Sequence, residues 1–303
     1  MFSLLGALIL RSLLAAVLVG VSAPVMGTYL VHKRLSMLGD GIGHVALTGV
    51  AAGWLVGAIA NLTPNDLLAL PGAIVASLAG ALLIEAVQQS RRTAADVALP
   101  ILFYGGIAGG VVLTGLAGGT STQLNSYLFG SIATVSWSDV WLTAGMAALI
   151  LAIGWGLRPT LFTITNDAAF AQSIGLPVRG LSYLIAAMSA LTVAISMRVV
   201  GALLVSALMI VPVATAQLWA KSFRSTMHWA MGIGLLVSVA GLALTIQVNL
   251  SPGATIVVIA VLLYAVAFAI KTPLERLRAH STQGIRSPME DGKASNREHK
   301  SCK

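Results

Sequence analysis

The stretch MLGDGIGHVALTGVAAGWLVG, residues 37–57, decides how the rest of the chain is read. It is apolar enough to span a bilayer, yet it opens with Asp40 and, four residues on, His44. On a helix, positions i and i+4 share a face, separated by roughly 6 Å along the axis and about 40° around it. Gly49 falls on roughly the opposite side. Gly53 and Gly57 continue that second face as a small-xxx-small stripe, the pattern through which membrane helices approach closely. The segment predicts one face for packing and another that presents a carboxylate and an imidazole. Ionisable groups entering a hydrocarbon span are costly, which marks the pair as a candidate functional site.

Composition extends this reading to the whole chain. Of 303 residues, 57% are hydrophobic and only 9% charged, with a mean hydropathy of +0.90. Soluble domains carry about 25% charged residues, so this chain has too few to cover a water-facing surface. Its 31 glycines and few aromatics suit tightly packed membrane helices better than a barrel of alternating strands. The fold class predicted is an all-α, polytopic helical membrane protein. The net charge of +8 does not indicate nucleic-acid binding, because the basic residues are scattered at span ends and in the tail. Cys302 is the only cysteine, which excludes a disulfide framework and a cysteine-based zinc site. The first apolar run has no A-x-A-like cleavage site followed by a soluble domain and reads as a retained helix.

Uncharged runs of about 18–22 residues mark spans. They lie near 5–30, 37–60, 67–88, 97–117, 139–157, 180–198, 199–220, 229–248 and 253–270. That makes nine, or eight if the chain around Arg198 is one long broken helix. With nine spans and the C-terminus inside, the inner loops hold Lys33, Arg34, Arg91, Arg92, Arg158, Arg179, Lys221 and Arg224, against Arg11 and Arg198 outside. The positive-inside rule then places the C-terminus in the cytoplasm and the N-terminus outside, in an inner or plasma membrane. Residues 1–270 form the transmembrane domain. The basic, Ser-rich tail 271–303 is expected to be disordered and its His280 and His299 solvated.

Three connections stand out. NLTPND, residues 61–66, is an outer turn built on Pro64 and Asn65. GGTSTQLNSYLFGSIATVSWS, residues 118–138, is semi-polar and predicts either a short helix at the interface or a segment dipping inward. RPTLFTITNDAAFAQSIGLPVR, residues 158–179, predicts a short inner helix over Ala168–Ile174, with Asn166 or Asp167 as its cap, Gly175 as its stop and Pro177 beyond. Such a helix either lies at the interface or docks a soluble partner. In the span 199–220, Pro212 removes a backbone hydrogen bond and predicts a kink or break, with Ser206, Thr215 and Gln217 beside it.

No GxxxxGK[ST], HExxH or GxSxG pattern occurs, so the chain carries no Walker ATP site and no common protease or hydrolase motif. A membrane enzyme using Asp40 and His44 for acid–base work would need a cleft with further polar groups, and the sequence offers few. His32 and His228 lie at span ends and are read as interfacial. Glu85 and Asp96 flank Arg91–Arg92 and are read as paired or solvated; Arg198 is read as snorkelling to the surface or repelling cations from a closed path. Asp40 and a neutral His44 offer one oxygen and one nitrogen, a set suited to Zn²⁺, Mn²⁺ or Fe²⁺. The pair is an incomplete shell that a second copy, meeting it across a twofold axis, would complete. The alternatives open from spacing are an internal hydrogen-bonded pair that anchors a helix, or a proton relay in a secondary or proton-coupled transporter.

Several motifs, taken together and in order, carry a resemblance. Gly39-Asp40-x-x-x-His44-x-x-Leu47-x-Gly49-Val50-Ala51 resembles the second-helix signature of the manganese/zinc/iron ABC-transporter permease family. Tyr127-Leu128-Phe129-Gly130 resembles that family's outer-segment motif, and Asp167-x-x-x-Ala171-x-x-x-Gly175 its ATPase-contacting segment. Val200-Gly201-x-Leu203-Leu204-Val205-x-Ala207-Leu208 through Pro212-x-Ala214-Thr215-Ala216 is similar to its late kinked helix. The resemblance covers nearly all of residues 1–270. It implies a homodimeric permease, a dimer of cytoplasmic ATP-hydrolysing subunits, an external solute-binding protein, and a transported divalent metal with no permanently bound cofactor. It carries the ion path onto Asp40 and His44 and ATPase docking onto Asn166, Asp167, Ala171 and Gly175, with Pro212 as the helix kink. Ser131 departs from the pattern, standing where relatives commonly have an acid, and is left out of the site.

Overall fold

The structure is a computed structural model that describes residues 2–62, 66–90, 95–130, 135–248 and 251–283. Pro64, Asn65, Arg91, Arg92, Ser131, His299 and Cys302 lie outside the described residues, as do the side chains of Asp96 and His280. The described residues form helices α1 (Phe2–His32), α2 (Leu38–Ile59), α3 (Ala69–Ser90), α4 (Ala95–Leu116), α5 (Ser121–Phe129), α6 (Trp137–Gly156), α7 (Arg158–Asn166), α8 (Ala168–Ser173), α9 (Val178–Val200), α10 (Ala202–Trp219), α11 (Phe223–Val248) and α12 (Pro252–Gln283).

Among the described residues nine of these helices are long and apolar enough to cross a membrane, and they are the nine expected from hydropathy. The chain divides into two compact units, Met1–Tyr264 and Ala265–Lys303. The second begins inside α12, which runs to Gln283 and so into the stretch expected from composition to be disordered.

Inside an apolar span a hydroxyl finds its partner in its own helix. Ser22, Thr28, Thr114, Ser189 and Thr192 each donate to the carbonyl four residues back, which satisfies these five hydroxyls within their own helices. Glycine sets the helix spacing. A side chain at Gly27 of α1 would run into the backbone of Met209 in α10, one turn before Pro212. Pro212 is buried, and α10 continues through it from Ala202 to Trp219. The break expected near that proline lies instead at Gly201, whose φ of +96° is a left-handed conformation that glycine adopts without strain. The chain around Arg198 is two helices separated by this one residue.

α2 and α9 are among the most enclosed spans, and α4 and α12 are the least enclosed. α2 packs chiefly against α3 and α4, with further contact to α10 and α9. On the α3 side, Gly49 and Gly72 lie backbone to backbone, and Gly53 faces Leu68. The glycine stripe of α2 does pack as its spacing predicts, and it turns Asp40 and His44 toward α4 and α10.

Candidate functional site

Asp40 stands in the first turn of α2, where the unpaired N–H groups of the helix start favour a carboxylate. Met37 precedes it without a side-chain cap. The Ser206 hydroxyl of α10 shares its one proton between Asp40 Oδ1 at 3.3 Å and its own Ala202 carbonyl at 3.2 Å, which brings the two helices into contact beside the pair. His44 Nε2 lies 4.0 Å from Asp40 Oδ1. That is too long for a hydrogen bond, so the two do not form the internal bonded anchor that spacing left open. Around a tetrahedral ion two ligand atoms on bonds of about 2.1 Å stand about 3.4 Å apart, so the two side chains would share one ion after closing by about 0.6 Å.

The two side chains differ in access. His44 is 8% exposed, whereas Asp40 is 33% exposed. Asp40 faces a cavity of about 270 Å³ whose other walls are Met37 and, from α4, Leu99, Pro100, Phe103 and Tyr104. At about 30 Å³ per water, such a space holds an ion with part of its hydration shell. The ring of Phe103 meets the His44 ring edge-on, with centroids 4.5 Å apart. Among the described residues no group of three or more His, Cys, Asp or Glu side chains comes together, so the pair has no third ligand of these kinds there.

Near this end of the bundle Lys33 donates to Glu85 at 2.8 Å, and Gln89 donates to the same carboxylate. Glu85 is buried and paired, one of the two states read for it. Here too the chain presents α7 and α8. Asn166 ends α7, and Asp167 is the cap of α8, accepting from the Phe170 N–H at 2.9 Å. Ala171 is the buried residue of α8, which ends at Ser173, with Ile174 as C-cap and Gly175 at φ +82°. Phe170 and Ile174 are each 55% exposed. α7 was not foreseen. Residues 158–166 mix threonine and a proline in a way that hides a helix, and Leu161 and Ile164 make it one by burial. A cavity of about 640 Å³ separates α8 and the start of α9 from Gln88 and Gln89 of α3.

At the opposite end α5 forms from Ser121 to Phe129, held by a capping box between Thr120 and Gln123. Arg198 neither snorkels free nor stands as a bare positive charge: it pairs with Asp139 at 3.4 Å. Asp139 is also held by Ser136 in the capping box of α6. Tyr127 stacks edge-on to Trp54. Burial raises the Tyr127 phenol above its ordinary value; Arg198 opposes the rise, while Asp66 and Asp139 add to it.

Among the described residues, nine apolar helices long enough to cross a membrane make this a multi-pass membrane protein, with a carboxylate–imidazole pair on α2 and a short capped helix at one end. Residues 6–271 match the model of the ABC 3 transport family, and the chain belongs to that family. It is an ABC-transporter permease subunit and not the ATPase. It is 33% identical over 272 residues to the manganese import system permease protein ScaB of Streptococcus parasanguinis, covering 89% of this chain and 93% of the relative. The manganese transport system membrane protein MntC of Halalkalibacterium halodurans is 32% identical over 258 residues, 85% of each chain. Among solved structures, PsaBC from Streptococcus pneumoniae in complex with Fab superposes with a TM-score of 0.74 at 31% identity, covering 85% of this chain and 90% of that one.

Proposed function

We propose that this permease imports a divalent transition metal, Mn²⁺ first and Zn²⁺ or Fe²⁺ by the same ligands, along a path that passes Asp40 and His44. The observation that carries the reading is a carboxylate and an imidazole 4.0 Å apart on one face of α2, with the carboxylate forming one wall of a cavity. Relatives named as manganese importers support the choice of Mn²⁺. One oxygen and one nitrogen are too few to hold the ion, and a second copy of the chain would supply the other half of the shell.

ATP would be hydrolysed on a separate pair of cytoplasmic subunits docked at Asn166, Asp167, Ala171 and Gly175, with Phe170 and Ile174 as exposed apolar contacts. An external binding protein would deliver the metal. The end bearing α7 and α8 faces the cytoplasm in this reading, with the C-terminus there and the N-terminus outside, because the positive charge gathers at that end. Pro212 then serves the packing of α10 against α1. Alternation between outward- and inward-open states moves the ion only if its affinity differs between them. Coordination requires neutral His44, so uptake weakens as acid protonates the imidazole.

The test is Mn²⁺ uptake into vesicles holding the permease, ATPase and binding protein. Asp40→Ala and His44→Ala are each expected to lower uptake at least tenfold while the subunits still co-purify. Full uptake by both variants sinks the path.

A further inference from the structure

α2 and α4 touch backbone to backbone at His44 itself. A methyl at Gly106 would stand 2.8 Å from the carbonyl carbon of His44 and from the amide nitrogen of Val45. Thr48 Oγ1 donates to the Gly106 carbonyl at 2.6 Å, which fixes the register of the two helices. Phe103 precedes Gly106 by three residues and so shares its face of α4. The Phe103 ring meets His44 at a 4.5 Å centroid distance and an interplanar angle of 78°, and Tyr104 meets Phe103 edge-on at 5.3 Å. Pro100, one turn earlier, cannot donate to the helical ladder, and the cavity before Asp40 opens along this turn. A single ring is therefore both a wall of the cavity and the brace of the imidazole.

We propose that Phe103 is a positioning residue for the ion path: it holds the His44 imidazole with Nε2 toward Asp40, and the Gly106 contact holds Phe103 in place. The inference rests on the assignment of Asp40 and His44 to that path. A ligand ring free to turn binds metal only in the fraction of time it faces the ion, and apparent affinity falls by that fraction. An edge-to-face ring pair changes such an equilibrium about two- to tenfold. Leucine at this position keeps much of the volume without the directional preference.

The experiment is Mn²⁺ binding to the purified permease–ATPase assembly, followed by the loss of the free-ion electron paramagnetic resonance signal. Phe103→Leu is expected to weaken binding about two- to tenfold, Phe103→Tyr to restore it, and Gly106→Ala to weaken it by displacing α4. Should the leucine variant fail to assemble, Phe103→Met takes its place. Wild-type affinity in the leucine or methionine variant overturns the proposal, as does a tyrosine variant no better than leucine. Asp40→Ala and His44→Ala are measured alongside. If they lose Mn²⁺ binding while Phe103→Leu keeps it, only the role of Phe103 falls; if they too bind normally, the path itself is wrong.

Discussion

Two short helices, α5 and α8, begin alike and end differently. Each is started by a polar cap, Thr120 for α5 and Asp167 for α8, and each is followed by a glycine with positive φ. At the end of α5 that glycine is wedged in place. A methyl on Gly130 would lie 2.6 Å from the carbonyl carbon of Val200, and one on Gly201 2.5 Å from the Gly130 nitrogen. Gly253 of α12 closes on the same point, against the Phe129 and Val200 carbonyls. A methyl on Gly175 would meet nothing within 4 Å, and α8 turns Phe170 and Ile174 outward. The lesson is that a cap starts a short helix but does not decide its use. Neighbouring backbone makes α5 part of the frame, and its absence leaves α8 available as a handle.

The largest expected effect comes from filling the glycine junction. Gly201→Val combines a left-handed backbone with a collision against the end of α5 and should cost about 3 kcal/mol or more. Gly175→Ala bears the backbone penalty alone, about 1 kcal/mol. Thermal unfolding of the detergent-solubilised protein measures both, and equal losses would erase the distinction between the two helices. Next in size, Phe170→Ala with Ile174→Ala should leave unfolding within about 0.5 kcal/mol of wild type, as for exposed side chains, while weakening association with the ATPase about tenfold. Unchanged association would remove α8 from the docking surface. The smallest effect is at Tyr127. Its phenol is raised in the fold, so the stability it lends is complete below about pH 10 and declines as pH rises past the unfolded value. Stability should fall less steeply above about pH 10 in Tyr127→Phe than in wild type.

Most of the bundle could be read from the chain because a span is a local property: length, hydropathy and bounding charge lie within one run of residues. The two faces of α2 were legible for the same reason, since period and glycine spacing are written in one helix. What could not be read is what depends on partners far along the chain. Arg198 carries no sign that Asp139 will stand beside it. Ser206 was conspicuous as a hydroxyl near Pro212, but its bond to Asp40 exists only once α10 lies against α2. Phe103 is one aromatic in an apolar run and becomes part of the site only through the helix crossing at Gly106. α7 was hidden because burial, not propensity, makes it helical.

The contact of Gly49 with Gly72 also constrains how the protein can work. With no side chains between them to re-rotamerise, α2 and α3 have no slack in which to slide, and they must travel as a single plate. The same close approach of Gly106 to the His44 backbone ties α4 to that plate, so relative motion is left to α10, which meets α2 where Ser206 faces Asp40.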